Sequence, residues 1–185
     1  QDEKITNVCK YMLYSDYLMG IYDFSVDSKK VALYKDLKEK LFKGFYNEAF
    51  SYVFKEAYAL ADVLELKYDM GVRIRKAYKS PDTLELKHVI YDLEHLIPRL
   101  EAFYESFKEM WYKENKLEGF EIQTSRIGGV ILRTKEVISL LKDYVSGKIK
   151  EIGPLEQDIL KFEGMEEGKD INCNSFMFPT SVNNH

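Results

Sequence analysis

Histidine is the first residue type to examine for chemistry, because the chain has only three. Glu85 and His88, in "ELKH", have the Glu-x-x-His spacing that places two ligands of a carboxylate-bridged di-iron site on one helix face. That site needs the same motif on a second helix and further Glu from two more. His95 follows on the same stretch and His185 is C-terminal. The pattern is therefore more typical of solvated helix residues, and no metal site is predicted.

The other residue types that could carry chemistry form no familiar motif. The sequence has no G-x-S-x-G elbow, no P-loop and no G-x-G-x-x-G fingerprint. "EGMEEGKD", Glu163 to Asp170, lacks the alternating oxygen ligands of a calcium loop. Cys9 and Cys173 lack C-x-x-C spacing, so two free thiols are expected rather than a disulfide or a zinc site.

Arginine is the more informative cation. Of 27 Lys and Arg residues only five are Arg, so each stands where the usual lysine was not used. A guanidinium offers a planar fork of five donors, which suits pairing with carboxylates and clamping of carbonyls. We expect structural ion pairs or clamped loop carbonyls, rather than ligand binding, at all five: Arg73, Arg75, Arg99, Arg126 and Arg133.

Composition sets the class of protein that must position these residues. The 185 residues are 45% hydrophobic and carry a net charge of −4, which suits one globular domain with a sizeable core. The charge offers no basic surface for nucleic acid or an anionic membrane, and no apolar run reaches the roughly 20 residues of a membrane span. The chain begins at Gln1 without an initiator Met or a signal-peptide pattern, so we expect a piece of a longer protein.

The first part of the chain is predicted to be irregular and the next part helical. "YMLY", Tyr11 to Tyr14, predicts a short strand or extended segment that leads into a loop. Ser28 is the expected N-cap of a first helix ending at Gly44, and a very apolar second helix should run from there to about Met70. Gly71 is then a stop or a close-packing point, and "VRIRKAYKS" is predicted to be a basic turn.

A long helical stretch is predicted from Asp82, a candidate N-cap, to about Trp111. Pro98 lies inside it and predicts either a kink or two helices, because proline removes a backbone donor and clashes one turn back. Large apolar residues seven apart form a seam like that of a coiled coil, at Leu86, Leu93, Leu100 and Phe107.

The stretch "WYKENKLEGFEIQTSRIGGVILR", Trp111 to Arg133, interrupts this periodicity and is predicted to be a corner. The seam helix should end near Asn115, and Gly119 should permit the chain to reverse.

Five residues of the corner have more specific expected roles. Phe120 and Ile122 should cover apolar surface, Arg126 should hold the loop, and Gly128 and Gly129 should let the next helix approach closely.

The last periodic stretches predict a helix from Ile127 to Val145, closed near Gly147, and a short helix after it. The sum is an all-α bundle of about five to seven helices, with a short extended or strand segment near the N-terminus. We divide the chain into an extended segment and loop at 1–28, a helical domain at 29–162 and an irregular tail at 163–185.

Three stretches together resemble a known family. They are "KYMLYSDYLMGIYD" (Lys10 to Asp23), "LELKYDMGVRIRKAY" (Leu64 to Tyr78) and the Trp111 to Arg133 corner. In this order they are similar to segments of a bacterial branch of glycoside hydrolase family 20, the β-N-acetylhexosaminidases. The chain resembles the helical C-terminal region of such an enzyme.

The resemblance implies a parent enzyme that removes terminal N-acetylglucosamine or N-acetylgalactosamine with a catalytic TIM barrel. In this family the acetamido oxygen of the substrate attacks the anomeric carbon, assisted by an Asp-Glu pair on a barrel strand. That pair lies upstream of the helical region, and Asp2-Glu3 is no substitute because no apolar strand precedes it. The chain alone is therefore expected to be inactive, and no metal or organic cofactor is implied.

The resemblance also assigns expected roles to residues. Residues 1–28 would include the end of the barrel, and Tyr14-Ser15-Asp16 is similar to a family Tyr-x-Asp that binds the acetamide and hydroxyls of the substrate. That role would need the barrel; the alternative is a turn that Asp16 caps, with Tyr14 packed. The other family positions are expected to be a structural signature: Gly71, Arg73, Arg75, Trp111, Gly119, Phe120, Arg126 and Gly128.

Partners follow from the same resemblance. The helical domain should pack on the upstream barrel of the same polypeptide, or dimerise it, and meet an amino-sugar glycan only through the parent enzyme, in the bacterial cytoplasm or in association with the cell. The alternative is a stand-alone interaction module, without enzymatic activity, that self-associates through the Leu86 to Phe107 seam. A carbohydrate-binding surface would need exposed aromatic side chains, but the 14 Tyr and 11 Phe lie mostly at core spacing.

Overall fold

A computed structural model describes residues 12–20, 23 and 26–159. These residues contain no strand, so the all-α prediction is confirmed. Short 3₁₀ helices occur at Ser28–Lys30 and Lys43–Tyr46. The α-helices in this part of the chain are α1 (Val31–Phe42), α2 (Ser51–Lys67), α3 (Met70–Lys79), α4 (Thr83–Glu114), α5 (Phe120–Val145) and α6 (Gly153–Glu156).

The long helix α4 organises the bundle, because α2, α3 and α5 all pack against it. Its seam faces inward and supplies much of the core, which also receives Ile74 from α3 and Leu141 from α5. Helix α1 packs on α2 but has no buried residue of its own. No helix in the described ranges combines the length and apolar character required to cross a membrane.

The predicted strand near the N-terminus is wrong for the residues that the structure describes. Met12 to Tyr14 form a helical turn, and Tyr11 lies outside the described residues. The carbonyl of Met12 accepts hydrogen bonds from the Ser15 hydroxyl and from Lys67 Nζ. The Lys67 side chain of α2 therefore satisfies a backbone carbonyl that would be hydrogen-bonded to a neighbouring strand in a β-sheet.

Helix α2 begins later than the apolar pattern predicted. The Asn47 side chain accepts hydrogen bonds from the backbone N–H groups of Ala49 and Phe50, at 3.0 and 2.8 Å. This turn ends the 3₁₀ helix, and the α-helix starts at Ser51. The first helical stretch is also capped differently, since Asp27 rather than Ser28 accepts the N–H of Lys29.

The predicted basic turn after Gly71 is instead helix α3, so that prediction was wrong. Met70, Ile74 and Ala77 recur at helical spacing and are buried. The cations between them find acids on the next helix: Arg73 donates to Glu85 at 2.9 Å and to Asp92 at 2.8 Å. Pairing with α4 lets a strongly basic segment stay helical.

Helix α4 is a single helix of 32 residues, with Pro98 inside it and no division into two. The predicted cap is present, since Asp82 accepts the backbone N–H of Glu85. The helix ends at Glu114, with Asn115 as its C-cap, and so confirms the end predicted near Asn115. Its seam residues Leu86, Leu93 and Leu100 are fully buried against other helices of the same chain.

The corner between α4 and α5 turns at Gly119, which has a left-handed φ of 92°. Phe120 is buried among aromatic rings of α4, with ring centroids 5.9 Å from Trp111 and 5.7 Å from Tyr104. Trp111 donates its indole N–H to the carbonyl of Lys116 at 2.9 Å.

Three details of the predicted corner were wrong. Helix α5 already starts at Phe120, so Ile122 lies on an exposed helical turn at 50% exposure instead of covering the core. No atom lies within 4 Å of where a Cβ of Gly128 would be, so that glycine is not needed for close approach. Arg126 points to the ring of Tyr14 rather than to the loop.

Candidate functional site

Residues 12–20, here called the N-terminal segment, lie against α2, α3 and α5 and are held there by both apolar and polar contacts. Met12, Leu13 and Leu18 are buried, with Leu18 fully so. Tyr17 is 2% exposed, and its hydroxyl is hydrogen-bonded to Thr134 Oγ1 on α5 at 2.6 Å. Burial of these apolar side chains drives the packing of the segment on the helices, and the polar contacts fix the direction of its backbone.

Asp16 and Arg133 form the central ion pair of the N-terminal segment. Arg133 Nε lies 2.7 Å from Asp16 Oδ2, and Arg133 Nη2 lies 3.2 Å from Oδ1. Asp16 Oδ1 also accepts the N–H groups of Leu18 and Met19, and the Asp16 side chain is only 4% exposed. Burial raises the pKa of Asp16, but Arg133 and the two amides lower it more, so the net shift is downward.

Lys67, near the end of α2, is buried beneath the same segment. Its Nζ donates to the carbonyls of Met12 at 3.1 Å and Ser15 at 2.6 Å. Nζ also lies 4.3 Å from the ring centroid of Tyr17. Burial lowers the pKa of Lys67 to about 7, although the charge of Asp16 opposes the shift.

Arg75, on α3, holds the far end of the segment. Its Nη2 donates to the carbonyl of Leu18 at 2.5 Å, and its Nε lies 3.4 Å from Asp23 Oδ2. Burial raises the pKa of Asp23, with Arg75 opposing the shift. The guanidinium of Arg126 completes the set, 5.4 Å from the ring centroid of Tyr14.

The cavity between the segment and the helices is small. Its walls include Ser15, Asp16, Lys67 and Gly71, and its volume is about 10 Å³. That is room for about one water molecule and far too little for a sugar. A Cβ on Gly71 would lie 3.3 Å from the carbonyl oxygen of Tyr17, so Gly71 lets α3 approach the segment.

Comparison with protein families shows the family of the chain. A model of the Glycoside Hydrolase 20C C-terminal domain matches residues 1–174. The chain belongs to this family. The family 20 resemblance of the three sequence stretches is thereby confirmed, and a glycoside hydrolase 20C C-terminal domain implies a catalytic domain in the parent enzyme. A comparison with curated proteins gives no match.

In this glycoside hydrolase 20C C-terminal domain, only some of the predicted site residues meet. Tyr14, Asp16, Gly71, Arg75 and Arg126 all lie at the N-terminal segment.

Other signature residues lie elsewhere. Arg73 joins α3 to α4, while Trp111 and Phe120 belong to the corner between α4 and α5. Arg99, on α4, donates to the carbonyl of Asp62 and the carboxylate of Glu65. The described arginines therefore hold helices and the segment together.

The two candidate metal ligands, Glu85 and His88, are not arranged as ligands of a metal centre. Glu85 is engaged by Arg73, and the side chain of His88 is 62% exposed. Among residues 12–20, 23 and 26–159, no three His, Cys, Asp or Glu side chains could hold a metal ion together. Cys9 and Cys173 lie outside the described residues.

The sequence predicted no role for Lys67, although this residue lies within the Leu64 to Tyr78 stretch that resembles the family. The signal was available, because Lys67 follows Val63 and Leu64 at helical spacing and so falls on the apolar face of α2. A lysine at such a position must be satisfied by polar groups from another part of the fold. Here those groups are backbone carbonyls of the N-terminal segment.

Gly20 tests how tightly Arg75 is held. Gly20 has φ +71°, and a Cβ there would lie 2.6 Å from Arg75 Nη2. Gly147 has φ +76° but no atom within 4 Å of its Cβ position. Each Gly→Ala change should lower the free energy of unfolding by about 1–2 kcal/mol through left-handed backbone strain. Gly20→Ala should lower it by about 1 kcal/mol or more beyond Gly147→Ala, because the new Cβ also collides with Arg75. Urea denaturation measures both; equal losses would mean that Arg75 moves aside freely.

Proposed function

We propose that the chain is the non-catalytic C-terminal helical domain of a β-N-acetylhexosaminidase and that it packs on the catalytic barrel of the same polypeptide. Membership of the glycoside hydrolase 20C C-terminal family supports the parent activity. The parent would remove terminal N-acetylglucosamine or N-acetylgalactosamine. This domain would contribute stability and placement rather than a general acid.

The anchored N-terminal segment is the observation that carries the proposal. In a C-terminal domain the segment precedes the helices and therefore stands on the side of the chain that leads to the catalytic domain. Side chains from α2, α3 and α5 hold it: Lys67, Arg75, Arg126 and Arg133. Because three helices contact one short segment, the contacts restrict the same few backbone torsion angles. The connection between the helical domain and the catalytic domain should therefore be rigid at this segment.

A role of Tyr14 and Asp16 in substrate binding stays a prediction for the parent enzyme. The contacts of the isolated domain favour anchoring for Asp16, because both of its carboxylate oxygens are engaged by Arg133 and by backbone N–H groups. Tyr14 is 8% exposed.

The proposed lack of catalysis can be tested directly. The isolated chain should release no chromophore from a chromogenic N-acetylglucosaminide, because the Asp-Glu pair of the family lies outside it. The parent enzyme at the same molar concentration serves as the positive control. Robust turnover by the isolated chain would refute the proposal.

Packing on the barrel needs a separate measurement. Light scattering of the chain, alone and mixed with a barrel fragment of the parent that ends before residue 12, should give a monomer that forms a complex with the fragment. A stable dimer that ignores the fragment would favour a stand-alone association module. The burial of Leu86, Leu93 and Leu100, each 0% exposed, argues against self-association through this part of the seam.

A further inference from the structure

Two lysines, Lys38 packed against α2 and Lys67 within it, differ in whether carboxylates lie next to their amine. Lys38, on α1, lies 2.5 Å from carboxylate oxygens of both Asp62 and Glu65. Burial lowers the pKa of Lys38, but the two carboxylates raise it more, so the net shift is upward. Lys67 is more deeply buried, at 3% exposure, and its direct contacts within the described part of the chain are neutral. The fold therefore supports the charge on Lys38 far better than the charge on Lys67.

The neutral contacts of Lys67 all come from the N-terminal segment. They are the carbonyls of Met12 and Ser15, the Ser15 hydroxyl at 3.4 Å and the ring of Tyr17. A neutral amine has two N–H groups, enough for the two carbonyls, which are its shorter contacts at 3.1 and 2.6 Å. An ammonium would gain a third donor for the Ser15 hydroxyl and a stronger contact with the Tyr17 ring, but it would lose far more hydration on burial at 3% exposure.

Among the residues that the structure describes, charged groups on neighbouring elements do not make up this deficit. The charged and titratable groups of that part of the chain around Lys67 are Asp16, Tyr17, Asp23, Tyr68, Arg75 on α3 and Arg133 on α5. Both carboxylates pair with an arginine, Asp16 with Arg133 and Asp23 with Arg75. The charge of Asp16 favours an ammonium at Lys67 but does not outweigh the cost of burial.

We propose that Lys67 is a proton-linked latch for the N-terminal segment: the segment docks best over the neutral amine, and protonation of that amine weakens its hold. The latch is a property of this chain and stands whether or not the parent enzyme is a hexosaminidase. It makes Lys67 a positioning residue for the segment, acting through the carbonyls of Met12 and Ser15.

The direction of the pH effect follows from linkage. With the segment undocked, the pKa of Lys67 would lie near its ordinary value of 10.5, whereas burial in the docked state lowers this pKa to about 7. Between these values the undocked state binds more protons, so docking strengthens as the pH rises, by up to about tenfold per pH unit. Below pH about 7 both states are protonated and the effect levels off.

Hydrogen exchange of the segment measures the latch. The amides of Leu18 and Met19 are bonded to Asp16 Oδ1 within the docked segment, so their protection factors report docking. In the wild-type chain, protection should rise between pH 7 and pH 9 by up to about tenfold per unit. Amides at the centre of α4 serve as the reference for global opening.

Variants assign the effect to Lys67. Lys67→Gln keeps an amide donor for one carbonyl but cannot titrate, so its protection factors should be independent of pH. Lys67→Met removes all donors and should lower protection at Leu18 and Met19 at least tenfold at pH 9. Lys38→Met, which removes a lysine remote from the segment, should keep the wild-type rise with pH.

Two results would overturn the latch. One is wild-type protection that does not change, or falls, between pH 7 and pH 9. The other is a Lys67→Gln chain that keeps the rise. If neither Lys67 variant folds, the wild-type profile still decides, because a flat profile is incompatible with proton-linked docking.

Discussion

Arg133→Met is expected to lower the free energy of unfolding by about 3–5 kcal/mol, because it leaves the buried carboxylate of Asp16 without its partner. The Asp16 side chain is 4% exposed, and both of its oxygens lie within hydrogen-bond distance of the Arg133 guanidinium. Urea denaturation at pH 7 with linear extrapolation gives the difference.

The effect of Arg133→Met should depend on pH in a defined way. The net pKa shift of Asp16 is downward from 3.8, so its contribution is present above that value and is lost as the pH falls through the lower folded pKa. The difference between wild type and variant should therefore shrink in acid. Arg133→Lys is the matched control, since it keeps the charge but not the two-pronged contact, and should cost less than Arg133→Met. Equal stability of Arg133→Met and wild type at pH 7 would contradict the proposed anchor.

Leu93→Ala is expected to destabilise the chain by about 2–5 kcal/mol, because Leu93 is 0% exposed and its removal leaves a cavity at the centre of α4. Leu84→Ala is the control: the same change near the start of the same helix, at a residue that is 65% exposed, should alter stability by about 0.5 kcal/mol or less. Thermal unfolding of both variants, with light scattering on the folded samples, makes the comparison.

Light scattering also separates the two roles considered for the seam. A seam that packs the interior lowers the melting temperature when truncated and leaves the oligomeric state unchanged. If the seam instead binds a second copy, its truncation should weaken self-association and lower the melting temperature only slightly. The burial of Leu93 predicts the first result.

Local rules predicted the parts of the fold that depend on neighbours in sequence. Asp82 caps α4 because its side chain reaches an N–H only three residues away. The chain reverses at Gly119 because that residue adopts a left-handed φ without a steric penalty. The long apolar period of α4 likewise indicated its buried side.

Local rules failed where a partner lies far away in sequence. The basic stretch after Gly71 was predicted to be a turn because its partners are remote in sequence. In the structure it is a helix, and Glu85 and Asp92 of α4 neutralise its Arg73. The end of the seam helix was predictable, but the start of α5 was not. Phe120 has little reason to begin a helix until the aromatic side chains of α4 bury its ring.

The candidate site divides in the same way. The family resemblance pointed to Tyr14, Asp16, Arg75 and Arg126 but could not say what each would touch. Asp16 and Arg133 are 117 residues apart in sequence, and nothing in either neighbourhood selects the other.

Periodicity and short motifs were enough to predict an all-α chain, an apolar seam on α4 and the family that three stretches resemble. The position of Lys67 beneath the N-terminal segment and the pairing of Arg133 with Asp16 emerged only from the folded chain. The difference lies in the range of the interactions. Helix formation and capping depend on residues within about one turn. The stability of a buried charge depends on groups that only folding brings within a few ångströms.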